Sequence, residues 1–362
     1  PTCTDSKARV HEIKDNICDN INRLASVGGQ KVVVIYIPTR WDHFVHYNDD
    51  FESFDLHDYI KAFCAERKVT SQLIREKTIR DTSLQCQINW WLSLSYFVKS
   101  FRTPWVIDNT DSNTAFAGIG YSVDSKLEDK GHIILGCSHI YNSNGEGLKY
   151  KLSKVNDKIE WIKKKPHLSY DDAYEFGKNV LNLFYESMSE VPKRVVIHKR
   201  TFYTEDEKNG ILDSLYDSHK IENVDLIEIN FENKIRYVSS KIEGGKTKID
   251  GFSVSRGTCI QLNNREALLY AHGVIPSVKN PHYNFYPGGR YIPKPLRIIK
   301  HFGSGSLEQI ANEILGLTKM NWNSLNMYSQ MPATIDSSNR IARIGKLIEN
   351  RDKIEYDYRY FI

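Results

Sequence analysis

Four apolar runs constrain this chain most. KVVVIYIP (31–38), RVVIHK (194–199), NVDLIEINF (223–231) and PLRIIKHF (295–302) each suit a strand, and amphipathic segments stand between them. The first is uninterrupted by polar residues and ends at Pro38, which predicts a strand covered on both faces, as in a parallel sheet. The segments between carry apolar residues at helical spacing. Strands alternating with such helices read as α/β.

A chain of 362 residues has room for two domains or one large one. Lys plus Arg exceed Asp plus Glu by only four charges, so any contact with nucleic acid must come from a local patch rather than from the total. Cys3, Cys18, Cys64, Cys86, Cys137 and Cys259 form no CxxC pair. That argues against zinc-finger and thioredoxin chemistry and for a reducing, cytoplasmic setting. No run of about 18 apolar residues predicts a membrane span, and no secretory signal opens the sequence. The first residue is Pro1 rather than Met, which leaves room for residues ahead of it.

The pattern predicts a helix over 9–25, another from about 56, a third over 88–101 (INWWLSLSYFVKSF) and a strand at TPWVID (103–108). NTDSNT (109–114) is a polar boundary, so 1–110 is expected to be one small α/β domain and 111–362 a second. After it, AFAGIGYSV (115–123), HIILGCSHIY (132–141) and KLSKV (151–155) read as three antiparallel strands. Helices and strands then alternate. Ser169 and an acidic first turn open a helix over 170–188, TEDE (204–207) is a capping box, and Ser306 with Gln309 forms another. GTCIQLN (257–263) adds a strand, and the last helix is expected near 337–349. This order fits a ribonuclease H-like fold.

One stretch carries chemistry. In LHDYIKAFCAERKVTSQL (56–73), Leu56, Ile60, Phe63 and Cys64 recur at helical spacing and face a core. His57 and Lys61 sit four apart on a neighbouring face, Gln72 follows the helix, and Lys99 ends the next long helix just before TPW. With the rest of the chain, this pattern resembles the MID and PIWI domains of the Argonaute family. That resemblance implies a Rossmann-like MID domain in which His57, Lys61, Gln72 and Lys99 grip the 5′ phosphate of a guide strand. A terminal phosphate carries about two negative charges. Two lysines supply charge, Gln72 supplies donors, and the His57 ring offers a face for the first base. In the prokaryotic members the chain end folds back to this pocket. The resemblance therefore implies a Mg²⁺ ion held between the guide phosphate and the Ile362 carboxylate, a hard oxygen ligand.

The same resemblance makes the second half a PIWI domain. Catalytic members hold two metals on a carboxylate tetrad. Here the tetrad positions fall on Gly120 in AGIGYS, Arg200 in VVIHKRT and Asn339 in PATIDSSNR, and Glu146 in NGEG is the one candidate carboxylate. The expectation is a PIWI domain that does not cleave. Lys199, Arg200, Arg290, Lys294, Arg297, Lys300, His301 and Lys319 are candidate contacts to nucleic-acid backbone. The turn in KPLRIIKHFGSGSLEQ resembles an anion site at a helix N-terminus. His43 and His46 in WDHFVH lack the further ligands a metal needs, and YPGGRY is too short for a dinucleotide fingerprint.

The implied protein is a short prokaryotic Argonaute, MID and PIWI only. Such a protein takes a 5′-phosphorylated guide RNA and recognises complementary single-stranded DNA from plasmids or phage. It activates a partner carrying an APAZ region fused to an effector (a TIR or sirtuin-like NADase, or a nuclease). Read from the residues alone, two other classes stay open: an active ribonuclease H-like nuclease, and an α/β enzyme that binds a phosphorylated metabolite.

Overall fold

The computed structural model describes residues 6–48, 53–107, 113–121, 134–136, 149–154, 160–163, 165–217, 221–249, 254–275, 292–322, 329–348 and 355–362. In the first part, helix α1 (Ser6–Ala25) leads into strand β1 (Val32–Ile37). A small hairpin, β2 (His46–Asn48) and β3 (Ser53–Asp55), follows, then α2 (Leu56–Glu66), β4 (Thr70–Arg75), α3 (Glu76–Arg80) and α4 (Gln85–Lys99). β1 and β4 pair in parallel, with Val34 opposite Gln72.

Three local readings need correction. β1 is not covered on both faces: Val34 and Tyr36 are about half exposed, because β1 pairs only with β4 among the described residues and one side of that pair is bare. The segment KVTSQLIR, read as a helix end and its exit, supplies the strand β4, so Gln72 sits on a strand. TPWVID is not a strand over its described residues, 103–107. Pro104 has no N–H for a ladder, and the bonds here run elsewhere: Trp105 Nε1 donates to the Lys319 carbonyl at 2.7 Å, and Thr103 Oγ1 accepts from Arg359 at 3.2 Å. Residues 108–112, where the domain boundary is expected, lie outside the described residues.

The second part opens with β5 (Thr114–Gly118), β6 (Ile134–Gly136) and β7 (Lys149–Lys154), then the hairpin β8 (Glu160–Ile162) and β9 (Lys165–His167). Next come α5 (Tyr170–Met188), β10 (Arg194–Lys199), α6 (Glu205–Leu212), β11 (Asn223–Phe231), the hairpin β12 (Ser240–Glu243) and β13 (Lys246–Ile249), β14 (Cys259–Gln261), β15 (Glu266–Leu269), β16 (Leu296–Phe302), α7 (Leu307–Leu317), α8 (Ala333–Gly345) and β17 (Glu355–Asp357). The central sheet has the order β14-β15-β16-β11-β10-β5. β10 runs parallel to β5 and β11, whereas β16, β15 and β14 are antiparallel. The expected meander of three antiparallel strands is therefore split. β5 joins the central sheet beside β10, while β6 and β7 pair with each other and with β17.

β10 is buried along its whole length, and its side chains alternate between two cores. Val195 and Ile197 pack with α5 and α6; Val196 faces the side holding α7 and α8. Caps set the helix starts. Ser169 caps α5, and Thr204 with Glu207 makes the full capping box of α6. The box at α7 is only half made: Ser306 Oγ accepts from Gln309 N, but the Gln309 amide donates to Glu313 instead. α8 begins four residues earlier than expected, directly after Pro332, whose fixed φ suits a helix start. Ala62, Ala65 and Val98 of the first part share one core with Ile227, Ile298, Ile341 and the tail Tyr356–Ile362 of the second. The tail is thereby wedged beside α2 and α4.

Candidate nucleic-acid interface

α2 starts where Asp55, in extended backbone, accepts from Asp58 N at 3.1 Å. Leu56, Ile60 and Cys64 are fully buried as expected, while Phe63 stays half-buried under the Arg67 guanidinium, 3.4 Å from its ring centroid. Lys61 is also buried, at 1% exposure. Its Nζ donates to the Ser71 carbonyl at 2.5 Å and to the Ile362 carbonyl oxygen. Lys99, at the end of α4, is 2% exposed and donates to Gln72 Oε1, which also accepts from Ser95 Oγ at 2.6 Å. Gln72 Nε2 is held by the Leu73 carbonyl at 2.9 Å. So the fold brings Lys61, Gln72, Lys99 and Ile362 together from α2, β4, α4 and the tail.

The electrostatics of this group are unusual. No side-chain carboxylate pairs with Lys61 or Lys99 among the described residues. Burial lowers the Lys61 pKa to about 8. Burial, with the charge of Lys61 beside it, lowers that of Lys99 to about 5. Two buried amines whose side-chain and main-chain partners here are Ser71, Gln72 and the Ile362 oxygen, with no side-chain carboxylate, are costly in an empty fold. An anion reaching both would favour their charged forms.

His57 stands one turn earlier on α2 with its side chain 48% exposed, and its Nδ1 lies 3.1 Å from Asp58 Oδ1. Asp58 Oδ2 accepts from Arg343 Nε of α8 at 2.8 Å. Its carboxyl is held below the usual range, because bonds from His57 and Arg343 outweigh the effect of burial. Sequence reading missed Ser95, although it lies four residues before Lys99 on the same helix face. It also missed the Asp58–Arg343 bridge, which no local pattern announces. Ligand atoms of Asp55, His57 and Asp58 lie within 4.8 Å of one another. Asp55 is already engaged as the cap of α2 and Asp58 as the partner of Arg343.

At the expected tetrad positions, Gly120 lies against α8. A Cβ on Gly120 would stand 2.4 Å from the Ser338 carbonyl carbon and 2.7 Å from Asn339 N. Positions 120 and 339 are therefore neighbours, in backbone contact. Arg200 is exposed just after β10. Glu146 and Arg290 lie outside the described residues.

Lys199 must be corrected as a backbone contact. It is fully buried and donates to Glu207 Oε1. Glu207 also accepts from Leu168 N at 2.9 Å and approaches His167 Nδ1 at 3.2 Å. Burial would raise the Glu207 pKa, but the bonds from His167 and Lys199 bring it below the usual carboxylate value. Lys199→Met is expected to destabilise the fold by about 3 kcal/mol, since it strands a buried carboxylate; chemical denaturation measures this. Oligonucleotide affinity should stay unchanged.

The remaining basic residues divide. Arg297 bonds Glu266 at 2.8 Å, Lys300 donates to the Gly305 carbonyl at 2.8 Å, and His301 pairs with Glu228 at 2.8 Å. Lys294 and Lys319 are exposed. The Gly-Ser turn before α7 is not an open anion site: Gly305 N donates to Asp225 Oδ1 at 2.9 Å, so a carboxylate of the protein itself occupies it.

The Argonaute of Clostridium butyricum, solved with a guide DNA and a 19-mer target DNA, superposes with a TM-score of 0.67 over 98% of this chain at 19% identity. The chain has an Argonaute-like fold. The Argonaute of Aquifex aeolicus matches with a TM-score of 0.60 over 97% of the chain at 19% identity. A further structure of it, carrying externally bound siRNA, matches at 0.60 over 96%. In sequence, the curated Aquifex aeolicus Argonaute is 23% identical over 298 residues, 82% of this chain. No family model matches. The Argonaute-like chain spans 36% of that curated relative and 42–44% of the solved structures. Its fold class is the expected one, a Rossmann-like first part followed by a ribonuclease H-like second part.

Proposed function

We propose that this protein holds the 5′ phosphate of a guide RNA between Lys61 and Lys99 and presents the guide to complementary single-stranded DNA without cutting it. The observation that carries the reading is the pair of buried amines with no side-chain carboxylate to balance them among the described residues, beyond the Ile362 oxygen that Lys61 bonds. Gln72 orients Lys99, and His57 lies at the exposed mouth as a stacking face for the first base. Base pairing supplies sequence specificity, while protein groups hold backbone.

For Mg²⁺, Ile362 offers one hard oxygen beside Lys61. No side-chain carboxylate adds to it among the described residues, so phosphate and water oxygens would complete the shell. A chain ending at Ile362 would present a carboxylate there. The ion, when bound, would neutralise phosphate charge.

The lack of cutting rests on Gly120, Arg200 and Asn339, none of which is a carboxylate. An APAZ-effector partner belongs to the same reading, with residues 1–110 as MID and 111–362 as PIWI. Its support is α4, which leaves Trp90, Trp91 and Phe97 43–65% exposed, large apolar side chains of the kind that mark an interaction surface. Trp90→Ser with Trp91→Ser is expected to weaken a co-purified effector complex at least about tenfold, read by a pull-down of the neighbouring gene's product. To test the function, the protein purified from cells is examined for bound nucleic acid. Short 5′-phosphorylated RNA is expected, with no guide-dependent DNA cut in Mg²⁺ or Mn²⁺. A cut product from this chain alone would refute the non-cleaving reading.

A further inference from the structure

The β12–β13 hairpin stands apart from both cores. All eight of its strand residues are exposed, and its two strands pair only with each other among the described residues. Gly244 and Gly245, at φ +61° and +72°, make the two-residue turn that matches strand twist. The register sets Lys241 across from Lys248 and Glu243 across from Lys246, so these four side chains share one face. Residues 234–248 hold Lys234, Arg236, Lys241, Lys246 and Lys248 against the single carboxylate Glu243. That excess of four positive charges equals the net charge of the whole chain. Glu243 lies 3.0 Å from Lys248 and 3.9 Å from Lys241, which leaves Lys246 with no ion-pair partner among the described residues.

Topology says where this charge is presented. β5, β10 and β11 are parallel, so their carboxyl ends share one edge of the sheet. The hairpin follows β11 from that edge. Arg200, exposed, follows β10 there. Lys294, also exposed, precedes β16, whose first residue, Leu296, pairs with Phe231 at the end of β11. In open α/β sheets, ligands bind outside the carboxyl ends of the strands. Lysines on a bare ribbon also discourage strand-to-strand aggregation, but that role does not account for exposed cations gathered from three separate segments at one edge.

We infer that the β12–β13 ribbon is an arm that holds the phosphate backbone of a single DNA strand, with Arg200 and Lys294 continuing its basic track. The inference rests on the nucleic-acid reading above but not on the 5′-phosphate pocket, and the two can fail separately. The probe is a fluorescent 20-nucleotide single-stranded DNA with a 5′ hydroxyl, titrated by anisotropy across a range of KCl concentrations. The protein is compared with its Lys241→Ala/Lys246→Ala/Lys248→Ala variant. Single strands show a slope of about −0.7 in log affinity against log salt for each phosphate neutralised, so the variant should flatten the slope by about 2. Its affinity at moderate salt should fall about tenfold or more. Its melting temperature should not change, and its preference for a 5′ phosphate over a 5′ hydroxyl should persist. Unchanged slope and affinity would overturn the inference and leave the ribbon to a protein contact. Failure of the unaltered protein to bind this strand would overturn it too.

Discussion

Replacing Lys61 and Lys99 by methionine is expected to lower affinity for a 5′-phosphorylated oligonucleotide by about 10²–10⁴-fold, the worth of two charge-assisted bonds. Affinity for the same strand with a 5′ hydroxyl should move by no more than about threefold, because that strand lacks the dianion proposed to sit on these amines. Methionine keeps the stem volume, so the core around α2 and α4 stays filled. Lys99→Met alone, which leaves Lys61 on the Ile362 oxygen and Ser95 on Gln72 Oε1, should melt higher than the unaltered protein when both are empty. The reason is the proton balance of the pocket. Lys99 falls to about 5 in the fold from an ordinary value of 10.5, and Lys61 to about 8. Between those values the unfolded chain binds more protons than the folded one, so stability of the empty protein climbs with pH across that window.

Ligand binding reverses the sign. A bound phosphate favours charged amines, so at pH 7 the empty pocket should take up about one proton as the oligonucleotide binds, chiefly on Lys99. Calorimetry in buffers of different ionisation enthalpy reads this directly. Above pH 7, where the phosphate is already a dianion, affinity should fall as pH rises.

Restoring a carboxylate at the first tetrad position is expected to damage the fold rather than create a nuclease. A Cβ on Gly120 would lie 2.4 Å from the Ser338 carbonyl carbon and 2.5 Å from its oxygen, both backbone atoms of α8. Gly118 is held as tightly, with the Thr334 carbonyl oxygen 1.9 Å from where its Cβ would stand. On the same face His198 is fully buried, with Nδ1 2.8 Å from Thr334 Oγ1, and burial lowers its pKa to about 3. Neither β5 nor α8 can shift alone, since both are packed in the shared core. Gly120→Asp should therefore cost about 3 kcal/mol or more, measured by denaturant unfolding. The triple change Gly120→Asp, Arg200→Asp and Asn339→Asp should give no Mn²⁺-dependent cut. A stable Gly120→Asp protein would show that α8 can move away from β5.

Much of the architecture was legible because local and global signals agree. RVVIHK and NVDLIEINF are strands of the central sheet, and Ser169 and Thr204 cap the helices their sequences announce. The errors came where partners decide. KVVVIYIP looks like an interior strand, yet β1 has one neighbour among the described residues and leaves Tyr36 open. TSQLIR was hidden behind the helix it follows, since six residues carry little periodicity. Lys199 read as a surface cation because its partner, Glu207, lies across a turn and on another element. The β12–β13 ribbon has so few apolar residues that no buried-strand signal marks it. At the pocket, the identities of Lys61, Gln72 and Lys99 were readable. Their burial was not, because it depends on the tail closing over α2 from 301 residues away.

We propose that Lys61 and Lys99 take a terminal phosphate. The most direct test is to titrate the unaltered protein at pH 7 with one oligonucleotide in two forms, 5′-phosphorylated and 5′-hydroxyl. The unaltered protein should show at least about a 100-fold preference for the phosphorylated form, the lower end of what two charge-assisted bonds supply. Equal affinity for the two forms would contradict it.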